Sequence, residues 1–253
     1  MTKFSYQLYS SRNFPPLSDT LAMLGRLGYA QVEGYGGLYS NLDDIDTLKA
    51  DLKKNNLHMA TGHFGLDMVT GETDRVLKIA SELNIEAVFV PAIPESERTQ
   101  DSAGWRALGE KLAEAGETYA KEGIKFGWHN HAFEFVETAE GDMPLDLIFG
   151  AGDKLLLEFD VAWAVKGNQD PVKWIEKYSD RIVAAHLKDI APAGQCEDED
   201  GWADLGEGTM DWKGIMQALA KTNSKYFVME HDNPNDHERF ARRSIAAANG
   251  LVA

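Results

Sequence analysis

The stretch LLLEFDVAWAVKGNQDPVKWIEKYSDRIVAAHLKD (155–189) holds one complete strand–helix–strand unit. Leu155–Asp160 is a short apolar run in which Leu156, Glu158 and Asp160 fall on one face of a strand, and Ile182–Lys188 is a second such run. Between them Asp170-Pro171 reads as a helix cap followed by proline at the first helical position, opening a helix over 171–178. Two strands joined by a crossover helix are parallel.

Outward from this unit the same rhythm runs to both ends of the chain. Candidate strands are Phe4–Tyr9, Ala30–Glu33, His58–His63, Ala87–Val90, Lys125–His131, Leu155–Asp160, Ile182–Lys188 and Tyr226–Glu230. Candidate helices lie near 16–28, 42–55, 70–84, 102–122, 143–150, 171–178, 211–221 and 235–249. Ser18-Asp19 sits where a cap could start the first helix, and Gly123 is a left-handed terminator for the fourth. Eight β/α units in 253 residues predict an α/β fold, a (β/α)8 TIM barrel forming one domain over 1–253. An open doubly wound sheet is the alternative, but no G-x-G-x-x-G follows the first strand, so nothing supports a dinucleotide site. The long irregular stretch Pro192–Gly208 is expected to form a loop over one end of the barrel.

Composition narrows the partners. With 25 Lys+Arg against 41 Asp+Glu, the net charge is −16, which repels phosphate backbones and anionic lipid. Nucleic acid and membrane are therefore not expected as partners. No run approaches the roughly 18 apolar residues of a membrane span. The start MTKFSYQLYSS has neither an apolar core nor a cleavage pattern of a signal peptide, and Cys196 is the one cysteine. A cytoplasmic protein is the expectation, with no role for Cys196.

In such a barrel, chemistry gathers at the C-terminal strand ends. There Gly127, His129 and His131 share a face on the fifth strand, Leu156, Glu158 and Asp160 on the sixth, His186 and Lys188 on the seventh, and Val228 and Glu230 on the eighth. Burying so many ionisable groups at one mouth without compensation would cost several kcal/mol per charge. A divalent cation supplies the compensation, and carboxylate with imidazole suits Mn, Mg, Co, Zn or Fe. The competing reading is a structural ion-pair network through Lys188 and Arg181. Earlier strands end in Gln7 and Tyr9, Glu33 and Tyr35, and Thr61 and His63, groups suited to binding hydroxyls. Trp128, Trp163, Trp202 and Trp212 could stack on a sugar face, or pack the core.

At these residues the chain resembles the xylose-isomerase-like TIM barrels called sugar phosphate isomerase/epimerase, in an HNHxFEF-type subgroup. The motifs are GWHNHAFEF (127–135), LEFDVAW (157–163), DPVKWIEKYSDRIVAAHLKD (170–189), LGEGTMDW (205–212) and FVMEHD (227–232). The resemblance implies one divalent metal, Mn first, held by Asp160, His186, Glu230 and an acid from strand five. For that fourth place Glu134 is assigned, with His129 as competitor and Glu158 as a further candidate. It also implies a homodimer.

Enzymes of this resemblance move a proton beside a carbonyl through a metal-stabilised enediolate. Glu230, His131 and Glu158 are candidate bases, and Lys188 a cation near the developing oxygen charge, unless it is tied in a salt bridge to Asp160 or Glu158. His63, His129, Glu33, Gln7 and Trp163 are candidate substrate contacts. Acidic neighbours of the 205–212 loop favour a neutral sugar over a phosphorylated one. The leading expectation is a sugar isomerase or epimerase acting on a keto-sugar or related polyol. The alternative is a lyase that dehydrates an inosose-type keto-polyol or eliminates from a 3-keto-glycoside, and the third reading is a barrel that only binds sugar.

Overall fold

The computed structural model describes residues 3–40, 45–98 and 101–252. The strands are β1 (Phe4–Gln7), β2 (Gln31–Gly34), β3 (His58–His63), β4 (Ala87–Val90), β5 (Lys125–His129), β6 (Leu156–Asp160), β7 (Ile182–Leu187), β8 (Asp189–Ile190), β9 (Trp202–Ala203) and β10 (Tyr226–Met229). Eight of them close a barrel in the order β1-β10-β7-β6-β5-β4-β3-β2. Every neighbouring pair is parallel. The expected TIM barrel is the fold. No helix among the described residues is long and apolar enough to cross a membrane.

Period-two alternation sorts the side chains. One small apolar cluster, including Ala87, Phe89, Ala184, Tyr226 and Val228, fills the barrel interior. The large cluster, from Phe4 through Ala248, packs the strands' outer faces against the helices. Closure tolerates no side chain at Gly127, where an added Cβ would meet the Leu156 carbonyl oxygen at 2.3 Å.

Local chemistry shortens the strands relative to the sequence reading. After Gln7 the chain turns into a 3-10 segment, Leu8–Ser11, because the Gln7 side chain accepts from the Tyr9 amide. β5 ends at His129, so Asn130 and His131 stand above it. Asp160 ends β6 by capping a short helix, Val161–Lys166, through the Trp163 amide. The first helix, Leu17–Leu27, starts after Pro16 with no side-chain cap, so Ser18 and Asp19 lie inside its first turn. Asp170 does cap Pro171–Lys177, and Gly123 has a φ of +75°. The segment expected at 70–84 is two helices, Leu66–Gly71 and Thr73–Leu83. Of the helix expected at 42–55, residues 42–44 lie outside the described residues and Ile45–Lys54 is helical.

The stretch 192–208 is more ordered than a loop. β9 returns antiparallel onto β8, with Ile190 opposite Trp202. Arg239 fixes its far side, donating to both oxygens of Asp204 at 3.0 and 3.1 Å and to Glu199 at 2.7 Å.

Candidate metal centre

The ends of β5, β6, β7 and β10 bring His129, Asp160, His186 and Glu230 together, each offering a ligand atom within 4.8 Å of the others. His63, His129, Glu158 and His186 meet the same criterion on the neighbouring side. Barrel register does this: Asp160 lies opposite His186 across β6 and β7, while Val228, two residues before Glu230, lies opposite His186 across β10.

His186 is held between two carboxylates. Its Nδ1 is 2.9 Å from Glu230 Oε2 and its Nε2 is 2.7 Å from Glu33 Oε1. Glu158 Oε2 gathers three imidazoles, His63 at 2.5 Å, His129 at 3.1 Å and His186 at 3.4 Å. Lys188, fully buried, bonds Asp232 at 2.6 Å and Glu230 at 3.3 Å, and its ammonium lies over the rings of Trp202 and Trp163 at 4.3 and 4.9 Å.

Burial and mutual charge divide these groups. Burial, reinforced by Glu158, raises Glu33. Burial also raises Asp160, to about 7, against the pull of Lys188 and His186. On Glu158 burial is outweighed by His186 and His63, and on Glu230 by Lys188 and His186, so both fall well below the usual carboxylate range. Burial lowers His129 to about 3 and takes His131 well below its usual value. For His63 and His186 the neighbouring carboxylates overcome burial and raise them.

A divalent ion fits these residues. Asp160 Oδ2 and Glu158 Oε1 are buried without any hydrogen-bond partner, although Asp160 Oδ1 accepts from the Trp163 amide at 2.8 Å. A cluster of carboxylates with orphaned oxygens facing imidazole nitrogens is the donor set of a transition-metal site.

The geometry corrects the assignment of Glu134. Its two oxygens accept from Trp128 Nε1 at 2.8 Å and from the His131 amide at 2.9 Å, so it braces the β5 turn and belongs to neither ligand group. His129, its competitor, lies within both groups that could hold an ion. Lys188 pairs with Glu230 and Asp232, not with Asp160 or Glu158. Arg181 is remote from this network, donating to backbone carbonyls of Leu155 and Gly152.

Above this cluster lies a cavity of about 460 Å³ whose wall includes Tyr9, Arg12, Tyr35, His63, His129 and His131, with Asp200, Glu230 and Asp232. Three expected substrate contacts are not on that wall. Gln7 and Glu33 lie beneath it, Gln7 bonded to Glu33 at 2.7 Å, and Trp163 stands behind His131, ring centroids 5.2 Å apart. Trp128 and Trp212 spend their indole N–H groups on Glu134 and Asp189, and Trp202 packs on Lys188. Sequence reasoning missed Arg12, Asp232 and Asn130. Asn130 bonds both the backbone N–H and the carbonyl of Asp160, at 3.0 and 3.1 Å. Its place between two site histidines was the available signal.

Known proteins agree with this architecture. An inosose dehydratase of Geobacillus kaustophilus is 35% identical over 196 residues, covering 68% of this chain and 61% of the relative. A sugar phosphate isomerase/epimerase from Parabacteroides distasonis superposes with a TM-score of 0.83 at 22% identity, covering 100% of this chain and 96% of that one. The IOLI protein, crystallised with a zinc atom, superposes with a TM-score of 0.78 at 15% identity over 99% and 98% of the two chains. The family model of the xylose isomerase-like TIM barrel matches residues 21–249, and the chain belongs to that family.

Proposed function

We propose that this protein is a divalent-metal-dependent lyase that dehydrates a keto-polyol of inosose type, with isomerisation or epimerisation of a keto-sugar as the second reading. This reverses the order expected from the sequence. The observation that carries the reading is the convergence of His129, Asp160, His186 and Glu230 beneath a cavity whose wall also presents His63 and His131. The inosose dehydratase relative, at 35% identity, favours elimination over epimerisation.

His129, Asp160, His186 and Glu230 would hold the ion. Bound there, a divalent metal supplies Lewis-acid stabilisation of the oxygen charge that develops when a proton leaves the carbon beside a carbonyl. Two imidazoles with two carboxylates suit manganese, iron, cobalt or zinc, and manganese is the first to test.

The chain's own residues divide the proton work. Glu230 lies on the cavity wall as a carboxylate, its Oε2 tied to Lys188 and His186, and His131 beside it is a neutral imidazole whose Nδ1 has no partner. Either accepts the carbon-bound proton. His63, braced by Glu158 and Glu33 at 2.5 and 3.2 Å, stands on the same wall and gives a proton to the departing hydroxyl. Lys188 adds fixed positive charge below. Tyr9 and Tyr35 offer hydroxyls and ring faces at the mouth. With one cysteine and this substrate class, we place the protein in the cytoplasm.

Purified protein is assayed for metal content, then incubated with inososes and keto-sugars in D2O with manganese, and again with chelator. Loss of water with an enone product, abolished by chelator, is expected. Deuterium in recovered substrate with no loss of water would select the isomerase reading. Unchanged substrates alongside tight sugar binding would leave only a binding barrel.

A further inference from the structure

The cavity above the metal cluster is larger than one substrate ring requires. It holds about 460 Å³, whereas a six-membered keto-polyol of about twelve heavy atoms fills less than the roughly 360 Å³ that twelve liquid waters occupy. His63, His129, His131 and Glu230 line its inner end. Much of the remaining wall comes from Tyr9, Arg12, Tyr35 and Asp200 with the Gly36-Gly37 backbone, none of them in the groups that could hold an ion.

These outer groups are already fixed in place. Tyr9 and Tyr35 meet edge to face, ring centroids 5.6 Å apart and planes at 75°. The Arg12 guanidinium lies 3.8 Å over the Tyr9 ring, and its Nη1 donates to the Tyr9 carbonyl at 3.1 Å and to the Asp232 carbonyl. Among the described residues, Nε and Nη2 of Arg12 have no hydrogen-bond partner. A Cβ on Gly37 would meet the Tyr35 ring at 2.8 Å, so bare backbone there makes room for that ring. Asp200 is set by the excursion between β8 and β9. Its neighbour Glu199 accepts from Arg239 at 2.7 Å and from the Asn235 amide at 2.6 Å, and its own carbonyl accepts from Lys166 at 3.4 Å. The Asp200 carboxylate accepts no hydrogen bond from the described residues.

We infer that the outer part of the cavity is a subsite for a second sugar ring, so that the substrate is a keto-polyol bearing a glycosyl group. The chemistry there is that of hydroxyl recognition. A guanidinium edge donates to neighbouring hydroxyls, a carboxylate accepts from them, and tyrosine rings cover the C–H face of a sugar. An apolar second group would cover Arg12 and Asp200 without giving either a partner. The outer ring takes no part in bond changes; its contacts hold the reacting ring over the cluster. The inner ring rests on the keto-polyol reading, and the subsite stands on its own residues.

Manganese-loaded wild type is titrated calorimetrically with ligands that carry no ketone and so are not turned over. The panel is myo-inositol and hexoses, then α- and β-linked hexosyl-inositols, hexose disaccharides and a phenyl glucoside. At least one ligand of two sugar rings is expected to bind at least about tenfold more tightly than its single ring. Arg12→Met and Asp200→Asn are each expected to cut that ratio by about fivefold or more; asparagine tolerates the left-handed backbone of residue 200, φ +58°. Equal affinity for one ring and two throughout the panel, a ratio that survives both substitutions, or a phenyl glucoside gaining as much as a hexosyl ligand, each overturns the inference. If Arg12→Met fails to fold, Asp200→Asn decides. Turnover of inososes and their glycosides is measured separately. Dehydration with no gain from a second ring refutes the subsite and keeps the keto-polyol reading, whereas a gain through Arg12 and Asp200 without any turnover keeps the subsite and removes that reading.

Discussion

Asn130→Ala separates the support of the site from its ligands. The Asn130 amide spans the backbone of Asp160, accepting from its N–H at 3.0 Å and donating to its carbonyl at 3.1 Å, and so extends the β5–β6 ladder beyond its last backbone pair, His129 with Glu158. Alanine removes both bonds inside a fully buried site. A lost bond costs about 1 kcal/mol, and an orphaned buried N–H up to about 3. The variant should therefore lose about 2–4 kcal/mol, which for a chain of this size is roughly 5–15 °C in Tm. Because Asp160 is a candidate ligand, slackening its backbone should also weaken manganese binding by about 10–100-fold. Asn130→Asp keeps the acceptor but cannot donate to the carbonyl, and it sets a charge beside Asp160, so it should rescue neither quantity. Thermal melting of metal-free protein gives the first number, and titration with manganese followed calorimetrically gives the second. An alanine variant with wild-type Tm and affinity would refute the claim that Asn130 sets Asp160.

Other substitutions discriminate among the buried carboxylates. Asp160→Asn and His186→Ala should each abolish stoichiometric metal, read by elemental analysis after gel filtration, whereas Glu134→Gln should keep it. The carboxamide of Glu134→Gln must turn its nitrogen towards either Trp128 Nε1 or the His131 amide, both donors, so that variant should instead melt lower by about 1–3 kcal/mol. Lys188→Met takes the paired ammonium from Asp232 and leaves Glu230 with His186 alone, and should cost about 3–5 kcal/mol by denaturant titration. His231, buried with Nδ1 accepting from the Asn233 amide, is lowered by burial to about 4. An unfolded histidine protonates near about 6.5, so below that pH the unfolded state binds more protons and stability falls with pH down to about 4. Metal-free wild type should thus lose about 2 kcal/mol more than His231→Gln between about pH 6.5 and 5, and equal losses would contradict the burial argument.

Which residues were legible in the sequence follows from what fixes their position. Glu158 with Asp160, His186 with Lys188, and Val228 with Glu230 share faces by strand period alone, so their convergence could be read before any coordinates. Depth along the barrel could not. Gln7 and Glu33 have the right parity, yet they sit one layer below the cavity and touch His63 and His186 instead of solvent-filled space. Glu134 failed for another reason. Beyond His129 the chain leaves the strand for a 3-10 turn, Phe133–Phe135, which folds the carboxylate back onto Trp128. Periodicity says nothing once the period has ended. The 205–212 loop was read from its acidic neighbours, while the acid that its amides bond, Asp189, reaches it from the start of β8.

The layer below the cavity bears on how His186 would serve the proposed ion among its carboxylate neighbours. An imidazole has two nitrogens, and a metal takes the one that carries no proton. Nδ1 faces Glu230 and Asp160, the carboxylates of the ligand group, at 2.9 and 3.9 Å, while Nε2 faces Glu33 at 2.7 Å. Glu33 must accept there for Nδ1 to stay free. Thr61 and Gln7 both donate to Glu33, and neither offers it an acceptor through those bonds, so Glu33 remains an acceptor for the imidazole N–H. In the proposed metal site, the carboxylate that strand parity pointed to as a substrate contact would act through His186: by accepting from Nε2–H it would leave Nδ1, the nitrogen that faces Glu230 and Asp160, to the ion.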